Sequence, residues 1–185
     1  MRKLLLLLML ILVTLSLSGC GGKTGVGGNI LKDEGSLVKI MDDFKNLSNL
    51  KGKDIMVFQS LSIFTGETGN RVMINILKPG TKEDVDAYEY KNGSWSGPKP
   101  VQITGRGKMD SNLFPLRDID FSKVPAMYKI METELKGFEG AKIDDFLTFQ
   151  LWSGKVTGLF GATSTRAKFN AEFALDGKLI KFSKR

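Results

Sequence analysis

The chain has no histidine and a single cysteine, Cys20. The first absence removes the commonest general base, the commonest metal ligand and every Ser/His/Asp or Cys/His triad. Zinc sites of the usual types go with it. One cysteine makes no intramolecular disulfide. Tryptophan is scarce, with Trp95 and Trp152 alone. Beyond residue 20 no apolar run approaches the roughly 20 residues needed to span a bilayer. Asp84 with Asp86, and Asp144 with Asp145, are the best carboxylate pairs. Neither has the oxygen-rich spacing of a calcium loop, so both read as solvated turns. An enzyme is therefore not expected, and neither is a metal or a cofactor.

What is present begins at the amino terminus. Arg2 and Lys3 precede an unbroken apolar run over 4–13, and Leu17-Ser18-Gly19-Cys20 follows. The segment over 4–17 is short for a membrane span and has no basic stop-transfer cluster after it. This pattern resembles the bacterial lipoprotein precursors, with a signal peptide over 1–19 and a lipobox at Cys20. The resemblance implies that the Cys20 thiol is lipidated and that the mature chain starts there. Two or three acyl chains hold a protein on a membrane stably, each buried CH₂ contributing about 0.8 kcal/mol. Gly21, rather than Asp, follows Cys20, which implies the outer membrane if the cell is Gram-negative. Gly21-Gly22-Lys23-Thr24 is no phosphate loop, because the first glycine of that pattern would fall on Leu17. Residues 20–34 read as a lipidated cysteine and a glycine-rich flexible tether.

Without Arg2 and Lys3 the net charge is nearer +5 than the +7 of the whole chain. Up to Asp145 acidic and basic residues balance. From Phe146 onward there are seven basic residues against Glu172 and Asp176. The carboxy-terminal strands therefore carry the excess. Such a surface suits an acidic protein, an anionic headgroup or a polyanionic envelope polymer, or it is a solvated lysine-decorated face. Nucleic acid is not an expected partner, since no aromatic-basic RNA motif is present.

The same order of parts occurs twice. Leu37, Ile40, Met41, Phe44 and Leu47 have the spacing of a half-buried helix over 36–49. Strands are predicted over 54–64, 71–77, 85–91 and 94–101. Asn92-Gly93 is a hairpin signal, and Pro98 and Pro100 make the last strand an edge. In the second half Ser122 can cap a helix with Pro125 in its first turn and Met127, Ile130, Met131 and Leu135 as its stripe. Strands are predicted over 143–152, 155–162, 165–175 and 178–182, with turns at Ser153-Gly154 and Asp176-Gly177. Lys39-Ile40-Met41 matches Lys129-Ile130-Met131, and Phe58-Gln59 matches Phe149-Gln150. The expected fold is α+β: a tandem repeat of one helix plus a four-stranded antiparallel meander, over 35–104 and 122–185, with a linker over 105–121. The helices are expected on one face of the sheets.

This plan resembles the secreted beta-lactamase inhibitor proteins and PepSY-like periplasmic domains. It does so in architecture and in the phrases Tyr88-Glu89-Tyr90-Lys91-Asn92-Gly93-Ser94-Trp95 and Phe173-Ala174-Leu175-Asp176-Gly177-Lys178-Leu179. The resemblance implies a non-catalytic domain with an extended surface for gripping another protein. The inhibitors carry disulfides and this chain cannot, so no inhibitory residue is carried over.

Candidate protein-binding residues are Tyr88, Tyr90, Trp95, Trp152, Arg166, Lys168, Lys178 and Lys181. Tyr88 and Tyr90 share a strand face, as a platform or as a cap on the core edge. Trp95 is an interface anchor or a cover for the helix. Trp152 ends a strand, where core packing competes with exposure. Gly158 and Gly161 suggest a helix crossing closely over their strand. The expected protein is an envelope lipoprotein, membrane-bound through Cys20, that binds an envelope protein. A small-molecule ligand is not expected. The alternative is a carrier or chaperone for a lipid or other amphiphile, which would need an apolar cavity between helix and sheet.

Overall fold

The computed structural model describes residues 28–67, 69–104 and 107–185. The expected signal peptide, Cys20 and the tether up to residue 27 lie outside the described residues, as do Thr68, Gly105 and Arg106. The described elements run in the order α1 (Ser36–Lys45), β1 (Met56–Phe64), β2 (Arg71–Leu77), β3 (Val85–Lys91), β4 (Ser94–Val101), β5 (Leu113–Pro115), α2 (Val124–Glu134), β6 (Lys142–Trp152), β7 (Lys155–Thr163), β8 (Lys168–Phe173) and β9 (Leu179–Lys184).

The strands join one antiparallel sheet ordered β4-β3-β2-β1-β6-β7-β8-β9, with β5 added to β1. The seam between the two halves is β1 against β6. Ser60, Ser62 and Phe64 lie opposite Gln150, Thr148 and Phe146. β4 stands at one end of the order, the edge position that Pro98 and Pro100 predict. Asn92 and Gly93 have φ of 53° and 84°, so β3 and β4 close through a two-residue turn. Ser153 and Gly154, at 50° and 77°, do the same for β6 and β7. Asp176-Gly177 departs from the expected two-residue hairpin. It lies in a longer connection, closed by the Ala174 N–H donating to the Lys178 carbonyl at 2.8 Å.

Burial alternates along the strands, as period-two side chains require. Val72, Ile74 and Ile76 of β2, Leu147 and Phe149 of β6, and Phe169, Ala171 and Phe173 of β8 are buried. Leu37, Ile40, Met41 and Phe44 of α1 are buried at helical spacing. α1 ends at Lys45, short of the expected boundary, where the Asn46 N–H bonds back to the Asp42 carbonyl. The Phe44 ring meets Tyr88 edge-on at 5.2 Å. On α2, Tyr128 meets Phe160 edge-on at 6.0 Å. A methyl group added at Gly158 would come within 2.9 Å of Met127 Cε. Gly158 is thus the close helix approach expected there. The approach at Gly161 comes instead from the Asp144 carboxyl of the neighbouring strand.

Four further expectations change. Ser122 does not cap α2. Its N–H donates to the Asp120 side chain at 3.1 Å, and a short 3-10 turn, Phe121–Lys123, precedes the helix. Ile30 and Leu31 are fully buried, so the folded part begins inside the expected tether. The linker is not only a connection. β5 pairs with Met56, Val57 and Phe58, and Phe114, Leu116 and Ile119 enter the core. Asp86 is buried on β3 rather than solvated in a turn.

Candidate binding face

Alternation leaves a second sheet face. Strand register places Ser60, Ser62 and Phe64 of β1 beside Met73 of β2 and Phe146, Thr148 and Gln150 of β6. Leu159 of β7 continues the row from Thr148. None of these side chains is buried. Met73 and Phe146 are each 40% exposed. Single exposed apolar residues are ordinary on a folded surface, and it is an apolar patch of adjoining residues that marks an interaction site. Phe64 and Phe146 face each other across the seam with ring centroids 6.3 Å apart. The Arg71 guanidinium lies 5.8 Å from the Phe64 ring and pairs with Glu89 at 2.5 Å. Ser62 and Thr148 share a hydroxyl hydrogen bond of 3.1 Å. The centre of the face is thus apolar and hydroxylated, and charge sits at its margin.

The structure separates the aromatic candidates. Tyr88 and Tyr90 are only 3% and 4% exposed. Burial is the main cause raising both phenols above their ordinary range, with nearby Asp86 and Asp43 adding to it. These two residues seal the core under α1 and are not available to a partner. Trp95 is partly buried. Its ring packs 4.5 Å from Phe44, and its Nε1 donates to the Ile40 carbonyl at 2.9 Å. It therefore covers the helix. Trp152 is the reverse case: 75% exposed at the end of β6. Beside it opens a cleft of about 580 Å³ lined by Gln59, Ser60, Asn112 and Gln150, among others.

The basic candidates do not form one patch. Arg166 lies between β7 and β8, and Lys168 begins β8. Lys178 is at the opposite end of the strands, paired with Asp176 at 3.1 Å. Lys181 faces Glu172 across β8 and β9. The strand register instead puts Lys142, Thr163 and Lys168 in one row, and the Arg185 N–H bonds to the Lys168 carbonyl at 2.8 Å. Asp144 sits below that row. Burial raises its carboxyl above the ordinary range, Lys168 opposes the rise and Asp145 adds to it. No cluster of three or more metal-ligating residues occurs among the described residues.

Met73, Phe146, Gln59, Gln150 and Asn112 were not singled out as site residues from the sequence. A signal existed for two of them. Phe58-Gln59 and Phe149-Gln150 are the repeated phrase, and both glutamines line the Trp152 cleft.

No protein-family model and no curated protein matches this chain. Among solved structures it is similar to a protein of Clostridium difficile 630 provisionally described as a lipoprotein. The likeness has a TM-score of 0.58 at 10% identity and covers 85% of this chain and 99% of the other. At that identity the likeness is one of fold.

Proposed function

We propose that this chain is a lipid-anchored lipoprotein of the bacterial envelope whose folded part is a non-catalytic protein-binding module. The lipobox at Cys20 supports the anchor, and the fold shared with a protein described as a lipoprotein fits it. The two halves are tandem units related to the beta-lactamase-inhibitor and PepSY-like plan. Supporting that reading, a helix and four strands occur twice and the sheet order is symmetric about the β1–β6 seam. One helix roofs each half on the same face, and the opposite face is left for a partner.

The observation that carries the binding reading is the uncovered centre of that face, with Met73 and Phe146 exposed beside Phe64. Apolar anchors bury area, and the marginal charges steer approach. The amphiphile carrier loses support where it would need space. Phe44, Phe149, Phe160, Phe169 and Phe173 are fully buried between helices and sheet, and the space beside α2 and β6, about 570 Å³, is lined by Glu132, Lys136 and Lys142 as well as by apolar groups. The test is a pull-down from the native envelope with a soluble form starting at Gly21, read for proteins and lipids. The expected result is one enriched protein, lost when Met73 and Phe146 are both changed to serine. Lipid enrichment with no protein partner would favour the carrier.

A further inference from the structure

We propose that the cleft beside Trp152 binds a neutral glycan strand, a role separate from the protein partner at the centre of the face. Trp152 stands at the end of β6 beside a tight two-residue turn and is three-quarters exposed. Trp95, by contrast, is packed and hydrogen-bonded. A quarter of the chain's residues are charged, yet none of the residues lining this cleft is. A phosphate, nucleotide or carboxylate ligand would call for a cation there. What the cleft offers instead is amides, hydroxyls and one flat aromatic.

That set matches the chemistry of a pyranose. The axial C–H groups of a sugar ring carry partial positive charge and stack on the negative face of an indole. Its hydroxyls need partners that both donate and accept, as amide side chains do. Gln59 and Asn112 are joined by an Nε2-to-Oδ1 bond of 3.3 Å, which holds the pair at the cleft wall. The Gln150 side-chain amide, unlike its strand-paired backbone, has no hydrogen-bond partner among the described residues. Gln59 also sits at the place where β1 leaves β5 for β6. There the strand bulges and its φ is 61°, uncommon for a residue with a side chain. The bulge turns Gln59 toward Asn112 on the cleft wall.

Position agrees with chemistry. Gly28, the first described residue, is held by Asn70 just before β2, its carbonyl accepting from Nδ2 at 2.7 Å. β2 starts at the end of the sheet where β6 also starts. Trp152 lies at the other end of β6, ten residues along from Lys142, or about 33 Å. With the lipid at Cys20, the cleft lies at the end of β6 remote from the point where the anchored segment joins the fold.

The test is tryptophan fluorescence of the full-length lipidated chain in detergent, titrated with tetra-N-acetylchitotetraose and, separately, maltotetraose. The expected result is a saturable blue shift with at least one of them. Response to the first alone assigns an N-acetylhexosamine glycan, and to the second alone an unsubstituted hexose glycan. Trp152→Ala abolishes the response and, because the ring is exposed, leaves Tm unchanged. Gln59→Ala weakens binding about tenfold, and added salt leaves affinity unchanged. The proposal is overturned if neither sugar shifts the emission, or if the response survives Trp152→Ala. It is also overturned if Trp152 captures only a protein that neither sugar displaces.

Discussion

The Trp95 indole nitrogen, on edge strand β4, donates a 2.9 Å hydrogen bond to the Ile40 carbonyl inside α1. An edge strand is thereby tied to the helix above it by a bond that neither element makes alone. Trp95→Phe keeps a ring against Phe44 and removes that bond together with part of the indole's packing. It should cost about 1 kcal/mol. In urea unfolding the midpoint falls while the slope stays constant.

Phe146 and Phe149 are three residues apart on β6 and differ in exposure, 40% against 1%. Phe149→Ala empties a filled core and should cost about 3–5 kcal/mol. Phe146→Ser should change stability by no more than about 0.5 kcal/mol. Thermal unfolding of the two variants measures the contrast. Equal losses would mean that the face of Phe146 is core.

Asp144 gives a pH signature. Its carboxyl is raised by burial, so the folded state holds its proton more tightly than the unfolded state. That stabilisation is complete below the ordinary carboxylate pKa and is lost as pH rises through the raised value. At neutral pH the ionised group therefore works against folding. Asp144→Asn should raise Tm at neutral pH, and the gain should shrink toward zero in acid. A gain independent of pH would show that ionisation is not its cause.

Gly158 lies under Met127 and against Phe149, whose Cε1 would be 3.1 Å from an added methyl group. Gly158→Val should cost about 1–3 kcal/mol by overpacking. Met127→Ala in the same chain should recover part of the loss, because the two sites share one space. Denaturant unfolding of both variants tests this coupling.

Local chemistry was the legible part. Three strands of the first half have the bounds their patterns predict, and Asn92-Gly93 and Ser153-Gly154 turn as their residue types require. Pro98 and Pro100 mark an edge because proline has no N–H to give. Pairing across the chain was not legible. Alternation tells which residues share a face, but it does not say that β1 meets β6. The three residues of β5 are too short a run to register as a strand. Ile30 and Leu31 were hidden by the glycines before them. The two tryptophans were the hardest to place. Both stand beside two-residue turns, and composition does not say on which side of the sheet each ring falls. Trp95 goes under α1, and Trp152 goes into water.

The most direct measurement is site-specific photo-crosslinking in the intact envelope. A benzophenone side chain is placed at position 146 on the open sheet face, or at the exposed position 129 on α2. A discrete crosslinked protein from position 146, absent from position 129, is the predicted result. Crosslinks from position 129 alone would contradict it, because the helical side and not the open sheet face would then meet the partner.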